Sequence, residues 1–109
     1  MPSVLPLLQG TLDLLILGAI RPKPIHGYAI ATTIEERSGG QIQVEDGALY
    51  QALHRLERQE CVEATWGASE NNRRARFYSL TPKGRRRLVE QTTYWRNYTR
   101  ALDAILGGA

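Results

Sequence analysis

One cysteine, Cys61, and two histidines, His26 and His54, are all the thiol and imidazole that this sequence of 109 residues carries. A lone thiol cannot close an intramolecular disulfide. With no second thiol near either histidine, the spacing of a metal site is missing too. Long apolar runs are also absent. The longest mainly apolar stretch, residues 12–20, includes Asp13 and falls well short of the roughly 20 residues that span a bilayer. No basic leader with a hydrophobic stretch and a small-residue cleavage site opens the chain, so a cytoplasmic location is expected. Nor is there a nucleophile with a matching base, a pair of carboxylates, or a glycine loop to cradle phosphate. The expectation is a protein that is not an enzyme and needs no cofactor or metal.

What is present is a globular composition, 42% hydrophobic and 23% charged, enough for one modest core and too little for a separate sensor domain. The net charge is +3, and its placement says more than its size. Arg73, Arg74, Arg76, Lys83, Arg85, Arg86 and Arg87 are seven of the 14 basic residues, and residues 71–87 contain no carboxylate. Such a block suits a polyanion.

Leu5, Leu8, Leu12, Leu15 and Ala19 recur at three- and four-residue steps, which predicts a first helix ending before Pro22, with Leu14 and Leu17 widening its apolar surface. A helix apolar on more than one side meets either two layers of its own domain or a second subunit. A second helix is expected over residues 25–38, with Tyr28, Ile30, Ala31 and Ile34 as its apolar positions and Gly39 and Gly40 ending it. Residues 41–44 have the character of a minor strand. Glu45 or Asp46 can then cap a third helix over residues 46–59. On that helix Leu49, Ala52, Leu53 and Leu56 share one side, and Gly47, Gln51, His54 and Arg58 the other. An amide, an imidazole and a guanidinium around a small residue can read a major groove. They equally make an ordinary solvated face, and the basic hairpin that follows tips the reading toward nucleic acid.

Val62, Ala64 and Trp66 alternate, as do Arg76, Tyr78 and Leu80, and residues 67–72 connect them: a β-hairpin with an arginine-rich end. Trp66 is expected to pack against the domain. Thr81 and Pro82 start a last helix as hydroxyl cap and first-turn proline. Leu88, Thr92, Trp95, Thr99, Leu102 and Leu106 follow heptad spacing along it, beside a second strip of Tyr94, Tyr98, Ala101 and Ile105. Two adjacent apolar strips on a terminal helix predict a partner surface, with folding back on its own domain as the alternative. The fold class is therefore α+β, mainly α: a winged helix-turn-helix over residues 1–80 with a two-stranded wing, and a long dimerisation helix over residues 81–109.

In this setting the strings HGY at 26–28, ALYQALHRLE at 48–57 and ENNRRARFYSLTPKG at 70–84 resemble the PadR family of transcriptional regulators, over nearly the whole chain. The match is to its short branch, in which a single C-terminal helix replaces a larger dimerisation domain. The resemblance implies a homodimeric repressor on a near-palindromic operator in double-stranded DNA. Tyr50 with Gly47, Ala48, Gln51 and His54 would face the DNA from the third helix. Asn72, Arg73, Arg74 and Arg76 would do so from the wing, and Tyr28 would seat the second helix near the backbone or else serve as a core aromatic. Dimerisation would fall to Leu8, Leu12, Leu15, Leu88, Trp95, Leu102 and Leu106. Some relatives hold planar hydrophobic ligands between aromatic side chains of the last helix, which makes Tyr94, Trp95 and Tyr98 the candidates for a small aromatic effector, with plain packing as the alternative role. Three positions depart from the family's habit. Ala48 stands where Thr or Ser is common, Glu60 where Gly suits a left-handed turn, and Cys61 where a larger apolar residue is usual and buried packing is its expected role. The competing reading is a winged-helix protein-interaction module without specific DNA binding.

Overall fold

The leucine-rich start of the chain divides at Gly10. In the computed structural model, which describes residues 4–107, Gly10 takes a left-handed φ of 86°, and helix α1 (Thr11–Ile20) begins only after it. Thr11 closes the junction by donating from both its N–H and its hydroxyl to the Leu8 carbonyl, at 3.0 and 2.6 Å. Leu5 and Leu8 are thus not helical, contrary to the spacing. They lie in an exposed lead-in whose Leu5 N–H donates to the Gln41 carbonyl. Ile16, Leu17, Ala19 and Ile20 carry the buried side of α1, and half-buried Leu12 and Leu15 pack against the same core.

Residues 25–38 also divide. Ile25–His26 forms strand β1, and only Gly27–Arg37 is helix α2. A two-residue strand is stable here because Ile25 and His26 pair with Tyr78 and Phe77, far away in sequence. Tyr28 does not join the core; it is 66% exposed at the start of α2, while Ile30 and Ile34 are buried. The end of α2 is as expected: Gly39 adopts φ 65°, and the N–H groups of Gly39 and Gly40 bond back to the Glu36 and Glu35 carbonyls, which satisfies carbonyls that the helix leaves free. Residues 41–44 form no strand. Ile42 and Val44 pack against the core from an irregular segment.

Helix α3 (Asp46–Arg58) buries Leu49, Ala52, Leu53 and Leu56. Its N-cap residue Glu45 makes no side-chain cap bond, so the expected capping reduces to the Leu49 N–H bonding the Glu45 carbonyl at 2.9 Å. The helix ends in a Schellman turn, with Cys61 N–H to Leu56 carbonyl and Glu60 N–H to Glu57 carbonyl. That turn puts Glu60 at φ 60°, the conformation for which Gly is suited. Strands β2 (Val62–Ala68) and β3 (Arg74–Leu80) form the hairpin, and β1 adds to the far side of β3, giving the antiparallel order β1-β3-β2. Helix α4 (Pro82–Leu106) starts as the sequence predicts. Thr81 Oγ1 accepts from the Gly84 N–H at 3.0 Å, and the same hydroxyl donates to the Glu60 carbonyl at 2.6 Å. Among the described residues no helix is long and apolar enough to cross a membrane.

The first turns of α4 close the core with Leu88, which belongs to the buried cluster and is only 7% exposed. Leu88, expected at a surface between subunits, is mostly taken up by its own domain and also lines the groove beside α4. From Arg96 to Gly107 every residue is exposed, so about 16 Å of helix at 1.5 Å per residue extends beyond the domain. Between α1, α2 and α4 lies a groove of about 520 Å³, lined among others by Leu14, Leu15, Ile34, Thr92 and Trp95.

Candidate nucleic-acid interface

Helix α3 turns Gly47, Ala48, Gln51, His54 and Arg58 to solvent, the outer face that the 3.6-residue period dictates once the four apolar positions are buried. Tyr50 belongs to that face only in part. It is half-buried against the start of α2, so close that a Cβ on Gly27 would lie 2.8 Å from its hydroxyl oxygen. Burial raises the Tyr50 phenol above its ordinary pKa, with Tyr28, Tyr78 and Asp46 adding to the effect. It is a neutral donor at physiological pH, standing beside exposed Tyr28. The tripeptide at 26–28 thus has three separate tasks. His26 pairs in the sheet, Gly27 leaves room for Tyr50, and Tyr28 adds a second phenol to the same edge.

The wing tip is a closed turn. Ser69 N–H bonds the Arg73 carbonyl and Asn72 N–H bonds the Ser69 carbonyl, each at 2.9 Å. Asn72 takes φ 57°, a conformation its short polar side chain tolerates, so shaping the turn is the part the geometry gives it. Arg73 and Arg74 are exposed. Arg76 is not free in the same way: Nη2 donates to Glu57 Oε2 at 2.9 Å, and its guanidinium lies 5.6 Å from the Tyr78 ring centroid. It connects the wing to α3. Trp66, expected to pack inward, is 59% exposed with the Arg74 guanidinium 4.4 Å from its ring centroid.

The basic block of residues 71–87 separates into two clusters. Arg73, Arg74 and Arg76 lie at the wing, whereas Lys83, Arg85, Arg86 and Arg87 open α4 at the other end of the seven-residue strand β3, roughly 20 Å away at the usual rise per residue. Arg87 is engaged: it reaches Asp13 Oδ2 at 3.2 Å, Cys61 Sγ at 3.6 Å and Gln59 Oε1. Cys61 itself is buried.

Asp13 was legible only as the one charge in an apolar run. In the structure it is buried and accepts from two arginines, Arg55 of α3 at 2.6 and 3.3 Å and Arg87 of α4. Its bonds hold the Arg55 guanidinium above its ordinary pKa. The orientation of α3 is thereby tied to α1 and α4 through one carboxylate. A single acid amid a continuous apolar stretch, paired with an arginine on the inner edge of the third helix, was the available signal.

On α4, Tyr94, Trp95 and Tyr98 form one aromatic cluster with centroids 5.7 to 6.1 Å apart. Tyr94 and Tyr98 are exposed, and Trp95 is half-buried at the rim of the groove. Leu8, Leu102, Ile105 and Leu106 are exposed, Leu106 by 78%.

The sequence and the fold are similar to those of known proteins. The sequence profile of the family described as transcriptional regulator PadR-like matches residues 16–90. A PadR family transcription regulator from Clostridium difficile R20291 is similar in structure, with TM-score 0.78 and 28% identity over 89% of this chain and 99% of that one. A PadR-like transcriptional regulator from Bacillus cereus gives TM-score 0.80 and 26% identity over 93% and 96%. A protein of Lysinibacillus sphaericus without an assigned function is 29% identical over 94% of both chains. With the winged-helix architecture, the family's profile and the structural likeness in agreement, the chain belongs to the PadR-like family of transcriptional regulators.

Proposed function

We propose that this DNA-binding regulator is a homodimeric repressor that holds a near-palindromic operator with α3 and the wing of each subunit. The observation that carries the reading is the pairing of an exposed polar face on α3, with Gln51 and His54, to a wing tip bearing exposed Arg73 and Arg74. Gln51 has the donor and acceptor pair that reads a base edge, whereas the arginines suit phosphates whatever the sequence. Tyr28, Tyr50, Gly47 and Ala48 fill the edge between α2 and α3. Arg76 serves the interface through Glu57 by fixing the angle of the wing.

The second subunit follows from exposed apolar surface. Tyr98, Leu102, Ile105 and Leu106 on the projecting half of α4 are exposed, as is Leu8 in the lead-in, and Leu12 and Leu15 of the first helix are only half-buried. The projecting helix of one copy seats against Leu8, Leu12 and Leu15 and in the adjoining groove of the other. Residues 1–80 then act as the DNA-binding part and residues 81–109 as the joint. A two-fold dimer sets half-sites about 34 to 36 Å apart or at a multiple of that. A planar hydrophobic effector would enter beside Tyr94, Trp95 and Tyr98, and α4 would carry its effect to the DNA-binding part. The expected cytoplasmic location is in keeping with a DNA ligand.

The test is binding to a labelled fragment of the protein's own upstream region, titrated against salt and random competitor. Operator binding that resists competitor is expected. Arg73→Ala and Arg74→Ala should each flatten the salt dependence by about one unit of slope for every phosphate that is no longer neutralised. Gln51→Ala should cost on the order of 1 to 3 kcal/mol at one base pair only. Failure to bind any DNA would instead favour a protein-interaction module.

A further inference from the structure

Trp66 stands inside a strand and yet is 59% exposed. β2 is the outer strand of the sheet, so no further strand shields it. The wing face that carries Trp66 begins in the core with Val62, Tyr78 and Leu80, continues through the Arg76 and Glu57 pair, and ends toward the tip with Trp66 and Arg74. Two guanidinium groups flank the indole, with centroid distances of 4.4 Å for Arg74 and 6.0 Å for Arg76. An exposed cation–π stack is a weak interaction and does not by itself account for an indole left in water.

The acids near this face are occupied or turned away. Glu57 is paired with Arg76, Glu70 approaches His26 Nε2 at 3.7 Å, and Glu63 falls on the opposite face, in register with Ser79. What remains among the described residues is a flat apolar plate beside an exposed arginine, continuous with the wing tip. A DNA duplex offers the complement, because its groove walls alternate apolar deoxyribose faces with phosphates at fixed spacing. We infer that Trp66 and Arg74 form a sequence-independent contact with the backbone of double-stranded DNA. The indole packs on a deoxyribose wall, and its stack holds the Arg74 guanidinium in position for the adjoining phosphate. The inference rests on the DNA-binding reading above and adds to it a residue that the charge pattern alone does not mark.

Because the chain has two tryptophans, incorporating 5-fluorotryptophan into the full protein should give two fluorine resonances, with Trp66 assigned by Trp66→Phe. The titrant is a random-sequence duplex, with complex formation followed in parallel by gel shift. The Trp66 resonance should shift and lose its solvent isotope effect in step with complex formation. Trp66→Ala should bind operator and random duplex about tenfold more weakly, from the lost burial of the indole, with a salt slope lowered by no more than Arg74→Ala lowers it. Arg74→Ala should lower that slope by about one unit, and Trp66→Phe should keep most of the affinity. A complex seen by gel shift while the Trp66 resonance keeps its full isotope effect would overturn the inference and leave the regulator reading standing. Absence of a complex with any duplex would remove both. A Trp66 resonance that moves with protein concentration alone would identify a second copy as the occupant and likewise overturn it.

Discussion

Glu60 shows how one residue can stand against its backbone. The Schellman turn after α3 requires a left-handed residue, and Glu60 supplies it at φ 60° despite the steric cost of its Cβ. Glu60→Gly should therefore raise stability by about 1 kcal/mol, less whatever glycine adds to the entropy of the unfolded chain. A urea midpoint that moves down would show that the Glu60 side chain contributes something the turn geometry does not reveal. Tyr78 is buried at 2% exposure, and burial holds its phenol above the usual value despite the nearby Arg76 charge, which acts in the other direction. The folded state then binds the proton more tightly than the unfolded one. This contribution is complete below the ordinary tyrosine value, about 10, and is lost as pH rises through the raised folded value. Thermal melts between neutral pH and pH 11 should show a fall in stability at the alkaline end that Tyr78→Phe reduces. An identical fall in the variant would assign it to other groups.

At the scale of elements, α3 was the most legible part of the chain. Its buried set of Leu49, Ala52, Leu53 and Leu56, and its outer set of Gly47, Gln51, His54 and Arg58, follow from local periodicity, which the helix itself enforces. The first helix and the second were less so. Leucines continue through Leu5 and Leu8 at helical spacing, but Gly10 turns left-handed before Thr11, and β1 exists only because β3 is there to pair with it. Neither fact has a local signature. The tie through Asp13 is of the same kind, joining α1, α3 and α4 by two arginines that sequence places far apart. Asp13→Asn should cost about 1 to 3 kcal/mol, discounted for the partial exposure of both arginines, and should weaken DNA binding more than its loss of stability explains. The comparison of a chemical denaturation midpoint with operator affinity measured well below it tests this. Full affinity in the folded variant would mean that α3 holds its orientation without the carboxylate.

For the whole molecule, the proposed dimer rests on the exposed apolar residues of the projecting half of α4. Leu102 and Ile105 are 40% and 80% exposed, and a soluble monomer rarely leaves so continuous an apolar strip in water. Sedimentation of the intact protein should give a dimer, and Leu102→Asp with Ile105→Asp should give a monomer that retains its helical content and loses tight operator binding. A double variant that remains dimeric would place the joint elsewhere. The heptad spacing predicted a partner surface for all of α4, yet Leu88 is spent on the chain's own core and only the later positions remain free. Where a regular stripe changes from core to exposed surface depends on how far the domain beneath it extends.

The sequence by itself determined the helix faces, the caps at Thr81 and Gly39, the hairpin and the arginine-rich wing tip. The helix faces and caps are set by residues within a turn or two of one another, and the hairpin by two strands joined through one short turn. Only the tertiary structure decided that the basic block splits into two clusters, that Arg76 holds Glu57 while Arg74 stacks on the Trp66 ring, that Asp13 lies between two arginines, and that Trp66 is exposed. Those outcomes depend on distances between segments remote in the chain. A side chain's partners are fixed by packing, which periodicity constrains to a face and no further.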